Sequence, residues 1–278
     1  MKKLYIIGNG FDLHHGIPSS YNNYMNWLEL HYPSLYDEIT RTFSGAEEVA
    51  WWSDFERNMA DVEYMYDLSI LKYPDYEVEG IEIEGTNSSD RLAALYKAIQ
   101  KSFAIWAGGL NVYLQNVKPD LQLDIDATYF TFNYTSTLQD VYHIPEDLIL
   151  HIHGKAVRGD ELIVGHGSNG DDFLVKQLEV VGFQKKPLKI GRQISVLRKP
   201  VEKIINSYHY FFESLSNVKD ITVYGFSFSP IDKLYIQEIV KHIKYKVKWH
   251  IYVRSFEEAE KLEEKEELMT LYTEYELW

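Results

Sequence analysis

Lys3-Leu4-Tyr5-Ile6-Ile7 runs directly into Gly8-Asn9-Gly10-Phe11-Asp12, and this passage decides how the rest of the chain is read. A short apolar strand that ends in Gly-x-Gly is how many α/β proteins open a nucleotide site. The first glycine permits a tight turn, and the second lets the backbone come close enough for its N–H groups to cradle a pyrophosphate. The third glycine of the dinucleotide fingerprint would fall at Leu13, but the next one is Gly16. The turn alone therefore does not decide the ligand; its neighbours further along the chain must.

Working outward, Gly16-Ile17-Pro18-Ser19 predicts a second turn with a helix cap, and Tyr21, Tyr24, Met25 and Leu28 recur at helical spacing. From about 35 to 115 the strand signals almost vanish, which predicts a helical insertion after the first strand. Within it Trp51-Trp52-Ser53-Asp54-Phe55-Glu56 opens a helical pattern, and Arg91 to Leu114 reads as a long helix. Tyr73 to Ser89 is acidic and carries Gly, Asn and Ser, so it reads as a mobile loop.

Strands return at Ala127–Phe132, Leu148–Ile152, Glu161–Val164, Ile221–Tyr224 and Val247–Val253, with helical patterns at Lys199–Ser216 and Ile231–Lys244. Strands alternating with helices predict a single α/β domain over 1–278. Its Rossmann-like, mostly parallel sheet would carry helices on both faces. Glu257 to Glu267 reads as a charged helix with a solvated face.

The chain has 278 residues, no cysteine and a formal charge of −14. Without cysteine there is no disulfide, thiolate nucleophile or cysteine zinc site, and the composition fits a reducing cytoplasm. The charge disfavours nucleic acid and anionic membranes as partners. Lys2 and Lys3 precede an apolar run that Gly8 and Asp12 break too early for a signal peptide, and no stretch reaches transmembrane length.

Small polar residues gather at the ends of the expected strands, where open α/β sheets bind ligands. Gly8-Asn9-Gly10-Phe11-Asp12 follows the first strand. Asn133-Tyr134-Thr135-Ser136-Thr137 follows Phe132, His151-Ile152-His153-Gly154 ends the next, and Gly225-Phe226-Ser227-Phe228-Ser229 follows Tyr224. Each also has a plainer reading as a turn or helix cap.

Together GNGFDLHHGIPSSY, WSDFE, FNYTSTL, HIHG and YGFSFS, in this order, resemble the AbiH abortive-infection family of bacterial phage-defence proteins. More distantly, Gly16-Ile17-Pro18, Asn133 and His153-Gly154 are similar to matching positions of sirtuin-like NAD-binding proteins. The chain departs from sirtuin deacylases in three ways. It lacks the cysteine zinc module, it has Ser19-Ser20-Tyr21 where they carry Asp-Phe-Arg, and it has Thr135 where they carry an acid. The resemblance thus implies a phage-defence effector that hydrolyses NAD rather than a deacylase.

What the resemblance implies for the residues is specific. Asn133 holds the ribose or the attacking water, and His153 serves as base. Gly8, Asn9, Gly10 and Phe11 border the pyrophosphate, Asp12 meets a ribose hydroxyl, and Gly225 and Ser227 complete the cofactor contacts. NAD or a related nucleotide is substrate or ligand, no metal is expected, and a phage-derived trigger and a homo-oligomer fit such an effector.

Two other readings stay open. His151 and His153, two apart on a strand, point to one face and with His166 or Asp12 would make a metal site for phosphodiester hydrolysis. The basic stretch of Lys185, Lys186, Lys189, Arg192, Arg198, Lys199 and Lys203 would then grip phosphates. In the third reading the fold senses a nucleotide without catalysis, and its aromatic insertion recognises a phage component or partner subunit.

Overall fold

The computed structural model describes residues 2–60, 91–167, 198–244, 247–263 and 272–277. The chain builds a six-stranded sheet, parallel throughout. In chain order the strands are β1 (Lys2–Ile7), β2 (Thr128–Thr131), β3 (Ile149–His151), β4 (Val218–Tyr224), β5 (Lys248–Val253) and β6 (Tyr272–Leu277). In space they lie β3-β2-β1-β4-β5-β6, the Rossmann order. The α/β expectation is met, including the helical run after the first strand. Here α1 (Asn9–His14), α2 (Tyr21–His31), α3 (Pro33–Thr42), α4 (Val49–Ser53), α5 (Phe55–Asn58) and α6 (Arg91–Gly109) precede β2.

This order positions the site. β1 pairs with β2 on one side and β4 on the other. The chain therefore winds away from β1 in two directions, and a crevice opens at the carboxyl ends where the winding reverses. Leu4, Ile6, Ile221 and Val223 are fully buried, and Tyr5 and Ile7 nearly so, as expected for central strands covered on both faces. β5 alternates instead: Trp249, Ile251 and Val253 are buried, whereas Lys248, His250 and Tyr252 are half-exposed.

The abundant tyrosines have a place in this sheet. Tyr129, Tyr5, Tyr224 and Tyr252, from β2, β1, β4 and β5, form one row. The Tyr5–Tyr129 rings stack at 4.8 Å, Tyr5–Tyr224 at 6.3 Å and Tyr224–Tyr252 at 4.4 Å. Stacked aromatic pairs add about 0.5–1.5 kcal/mol each beyond their burial.

Two expectations need correction. Glu161–Val164 is irregular rather than a strand: Leu162 and Val164 are buried in alternation, which imitates a strand, but no ladder forms there. β6 was not anticipated, because its Thr273-Glu274-Tyr275-Glu276 follows a glutamate-rich helical stretch, of which α11 below forms the described part. Between β2 and β3 lies α7 (Thr137–Asp140), and after β3 come α8 (Val201–Ser207), α9 (His209–Ser214), α10 (Lys233–His242) and α11 (Phe256–Glu263). The expected loop at Tyr73–Ser89 lies outside the described residues.

The chain forms two compact units. One takes Met1–Ser19, Ala107–Leu162 and Pro200–Trp278 and contains the sheet; the other takes Ser20–Trp106 and Ile163–Lys199 and overlaps the expected insertion at 35–115. In the second unit Ser20, one residue beyond the expected cap, accepts from the Asn23 N–H and starts α2. Its core is aromatic: Tyr24 packs against Trp52, Phe55, Phe103 and Trp106. The Tyr24 hydroxyl meets Ser102 Oγ at 2.7 Å, and the Trp52 indole donates to the Ala46 carbonyl at 3.0 Å, so the polar tips are satisfied.

Lys199 also belongs to this unit. It is 3% exposed, and its ammonium lies 2.9 Å from Glu56 Oε2. Far from being a solvated grip, it is a buried partner. Removing one member of such a pair strands the other charge, so Lys199→Met is expected to cost about 3 kcal/mol in urea unfolding.

Candidate functional site

The site is built wholly within the sheet-bearing unit. The turns after β1 and β4 are bonded to one another: the Gly8 N–H donates to Tyr224 O and the Gly10 N–H to Gly225 O, both at 2.9 Å. A Cβ on Gly8 would stand 2.5 Å from Gly225 O, and one on Gly10 would stand 2.6 Å from Gly225 Cα. Backbone packs on backbone here, which by itself demands the glycines. Phe228, in the same turn as Gly225, is left-handed at φ +49°, an uncommon state for a bulky residue. Its ring is held edge-on by Phe226 at 4.8 Å.

The expected ligand residues divide by exposure. Asn9 and Ser227 are exposed, and Asn9 Oδ1 accepts from Ser19 Oγ at 2.6 Å. The Phe11 side chain is buried between His15, Tyr142 and Tyr224, so its ring belongs to the core. Asp12 is 1% exposed, and both its oxygens are occupied: Thr135 Oγ1 donates to Oδ2 and Thr137 Oγ1 to Oδ1, each at 2.7 Å. Burial pushes the Asp12 carboxyl above the ordinary carboxylate range, against the opposing pull of the two hydroxyls. The carboxylate thus ties α1 to the segment that follows β2.

That segment begins with Asn133. Its backbone N–H donates to Thr131 Oγ1 at 3.1 Å, and its carbonyl accepts from His151 Nδ1 at 2.9 Å. The side-chain amide stands beside Asp12 and favours the charged carboxylate slightly. Yet Nδ2 and Oδ1 are both buried without a hydrogen bond of ordinary geometry, in a residue only 7% exposed. An unsatisfied buried polar group costs about 1–3 kcal/mol and calls for an explanation.

His151 is committed on both nitrogens. Besides the Asn133 carbonyl, its Nε2 lies 2.9 Å from Gln139 Nε2, which must donate, so Nδ1 carries the proton. Gln139 Nε2 donates onward to Glu146 at 2.9 Å, and Lys155 grips the same carboxylate at 2.9 Å. Burial holds the His151 imidazole below its ordinary value, the Lys155 charge adding to that and the carbonyl bond opposing it. A depressed base contributes stability above its unfolded pKa and loses it as pH falls through that value toward the folded one. Wild type is therefore expected to lose more stability than His151→Gln when urea unfolding is compared between pH 7.5 and 5.

His153 lies just beyond β3, 3% exposed, in an aromatic surround. Phe132 stands edge-on at 5.5 Å, Tyr235 at 5.6 Å, and Tyr134 nearly parallel at 6.4 Å. Phe132 in turn stacks on Phe226 at 4.4 Å, so the carboxyl ends of β2 and β4 are joined by one aromatic contact. The arrangement brings Asn133, His153, Asp12 and the two glycine turns to the same edge of the sheet.

The metal reading of His151 loses support from this geometry. Its ring nitrogens serve Asn133 and Gln139. Among the described residues, His151, His153 and Asp12 of the sheet-bearing unit do not converge within ligating distance of one another. In the basic stretch Arg198 and Lys203 are exposed, Lys199 is paired, and Lys185, Lys186, Lys189 and Arg192 lie outside the described residues.

A family model described as bacteriophage abortive infection AbiH matches residues 4–253. The chain belongs to the AbiH family. No curated protein and no solved structure matches it. Membership gives this AbiH protein a role in abortive-infection defence against phage, and no described helix is long and apolar enough to cross a membrane.

The sequence places Thr135 and Thr137 in the polar run after Phe132 without a role for either, and gives Gln139 and Tyr235 no place at the candidate site. Thr135 and Thr137 hold Asp12, Gln139 sets the His151 tautomer, and Tyr235, from α10, walls His153. The spacing of Thr135 and Thr137 offered a signal, since alternate positions can face one acceptor. Tyr235 and Gln139 offered none.

Proposed function

We propose that this AbiH protein binds NAD at the carboxyl ends of β1, β2 and β4 and hydrolyses the bond between nicotinamide and ribose. The observation that carries the reading is the buried Asn133 amide, whose Oδ1 has no hydrogen bond and whose Nδ2 has only a weak approach to Asp12. Ligand hydroxyls or a held water would satisfy both ends. Support comes also from the strand order, since dinucleotides bind at the point where the winding of such sheets reverses.

In this reaction water adds at C1′ of the ribose as the C1′–N1 bond breaks. The electron pair returns to the nicotinamide ring, which loses its positive charge and leaves without a general acid. The state between resembles an oxocarbenium ion, as in glycoside cleavage. Asn133 orients the water or the ribose, and His153 takes the proton that water sheds. The aromatic surround of Phe132, Tyr134 and Tyr235 keeps bulk water from the imidazole. Asp12 acts through Thr135 and Thr137, fixing the segment that carries Asn133.

Calorimetric titration of the whole chain with ADP-ribose, the product that keeps both ribose and pyrophosphate, tests the binding half of this reading. Saturable binding that Asn133→Ala weakens is expected; absence of binding defeats it.

A further inference from the structure

We propose that His250, Glu274 and Glu276 form a divalent-cation site of zinc-binding character on the half-open face of β5 and β6, apart from the nucleotide site. The register His250↔Glu274 and Tyr252↔Glu276, with the period of two along each strand, sets the three side chains on one face. His250 Nδ1 lies 3.1 Å from Glu276 Oε1 and 3.5 Å from Glu274 Oε2. All three ligand atoms fall within 4.8 Å of one another.

Those separations suit an ion. Nitrogen and oxygen ligands about 2.0–2.2 Å from a tetrahedral zinc stand about 3.3–3.6 Å apart; the 3.5 Å separation lies in that range and the 3.1 Å one falls slightly short of it. A proton on Nδ1 serves one carboxylate, whereas a cation serves both. Behind the ring, Asp220 Oδ2 lies 3.5 Å from Nε2, placed to accept a hydrogen bond from the Nε2–H after a modest side-chain adjustment. A carboxylate in that position fixes the tautomer that turns the Nδ1 lone pair outward, the usual support of a metal-bound histidine.

Competing contacts fall on the ligand groups themselves, Lys248 on the same Glu274 oxygen, Oε2, that faces His250. Lys248 pairs with Glu274, Tyr252 hydrogen-bonds Glu276, and Lys3 lies 3.6 Å from Asp220. Lys248 must release Glu274, but a pair this exposed is weakly held. Three protein ligands leave a fourth position for water, and β6 is the edge strand. The ion would clip β6 onto β5, stabilising the native state as any native-specific ligand does.

Equilibrium dialysis of the whole chain against zinc chloride at physiological ionic strength tests this, with a thermal melt alongside. A single tight site that raises the melting temperature is expected. His250→Asn and Glu276→Gln should each weaken it about 100-fold, and Asp220→Asn about 10-fold. Glu276→Gln keeps size and hydrogen bonding, so it still decides the matter if His250→Asn does not fold. Failure of the wild type to bind stoichiometric zinc, or binding unchanged in Glu276→Gln, overturns the proposal. Neither result depends on NAD.

Discussion

Asn133→Ala is expected to lower nicotinamide release from NAD by about 100-fold or more while leaving the melting temperature unchanged or raised. The activity loss follows from removing the group that orients the reacting water or ribose, since a single preorganised polar group is worth about 10²–10³ in rate. The stability result follows from what Asn133 does in the free protein. Its Oδ1 is buried without a hydrogen bond and its Nδ2 makes only a slight approach to Asp12, so truncation relieves an unsatisfied group while giving up little. A merely structural Asn would show the opposite pair of results: retained rate and a lowered melt. Its backbone anchors, to Thr131 and His151, survive the substitution. For the imidazole, His153→Asn is the better probe than alanine, because a cavity between Phe132 and Tyr235 would unsettle the fold.

Gly225→Ala is expected to abolish folding, with a loss above about 4 kcal/mol. The added Cβ would fall 2.2 Å from the Phe11 N and 2.4 Å from the Gly10 carbonyl carbon, and the residue is left-handed at φ +61°. Nothing can move aside, since both neighbours are backbone locked by the Gly8–Tyr224 and Gly10–Gly225 bonds. Gly16→Ala is the matched control. It shares the left-handed backbone at φ +73° but meets nothing within 4 Å, so it should cost only about 1–2 kcal/mol. Soluble yield and circular-dichroism melts of the two variants separate close packing from backbone strain.

Much of the fold was legible because its signals are local. Leu4 to Ile7 ending at Gly8 declares a strand and a turn within a few residues, and the helical stretch before β2 declares itself by lacking strand patterns. The strand order was not legible, because pairing β1 with both β2 and β4 depends on contacts more than a hundred residues apart. That Asn133 and His153 lie just beyond strands was legible from the sequence. Their roles were less so. Nothing in His151-Ile152-His153 tells that the first histidine turns back to hold the Asn133 carbonyl while the second enters an aromatic surround. The glycines were read for a phosphate; the Gly225 backbone supplies a second reason for them that only the juxtaposed turns reveal. β6 was hidden because alternating Thr, Glu and Tyr on a half-exposed edge lack the apolar alternation that marks a buried strand.

The most direct test is chromatographic: the purified chain incubated with NAD, with and without EDTA, and followed for nicotinamide and ADP-ribose. The account predicts equal amounts of both products, unaffected by the chelator and lost in Asn133→Ala. NAD that remains intact, or release that requires a metal, would contradict it.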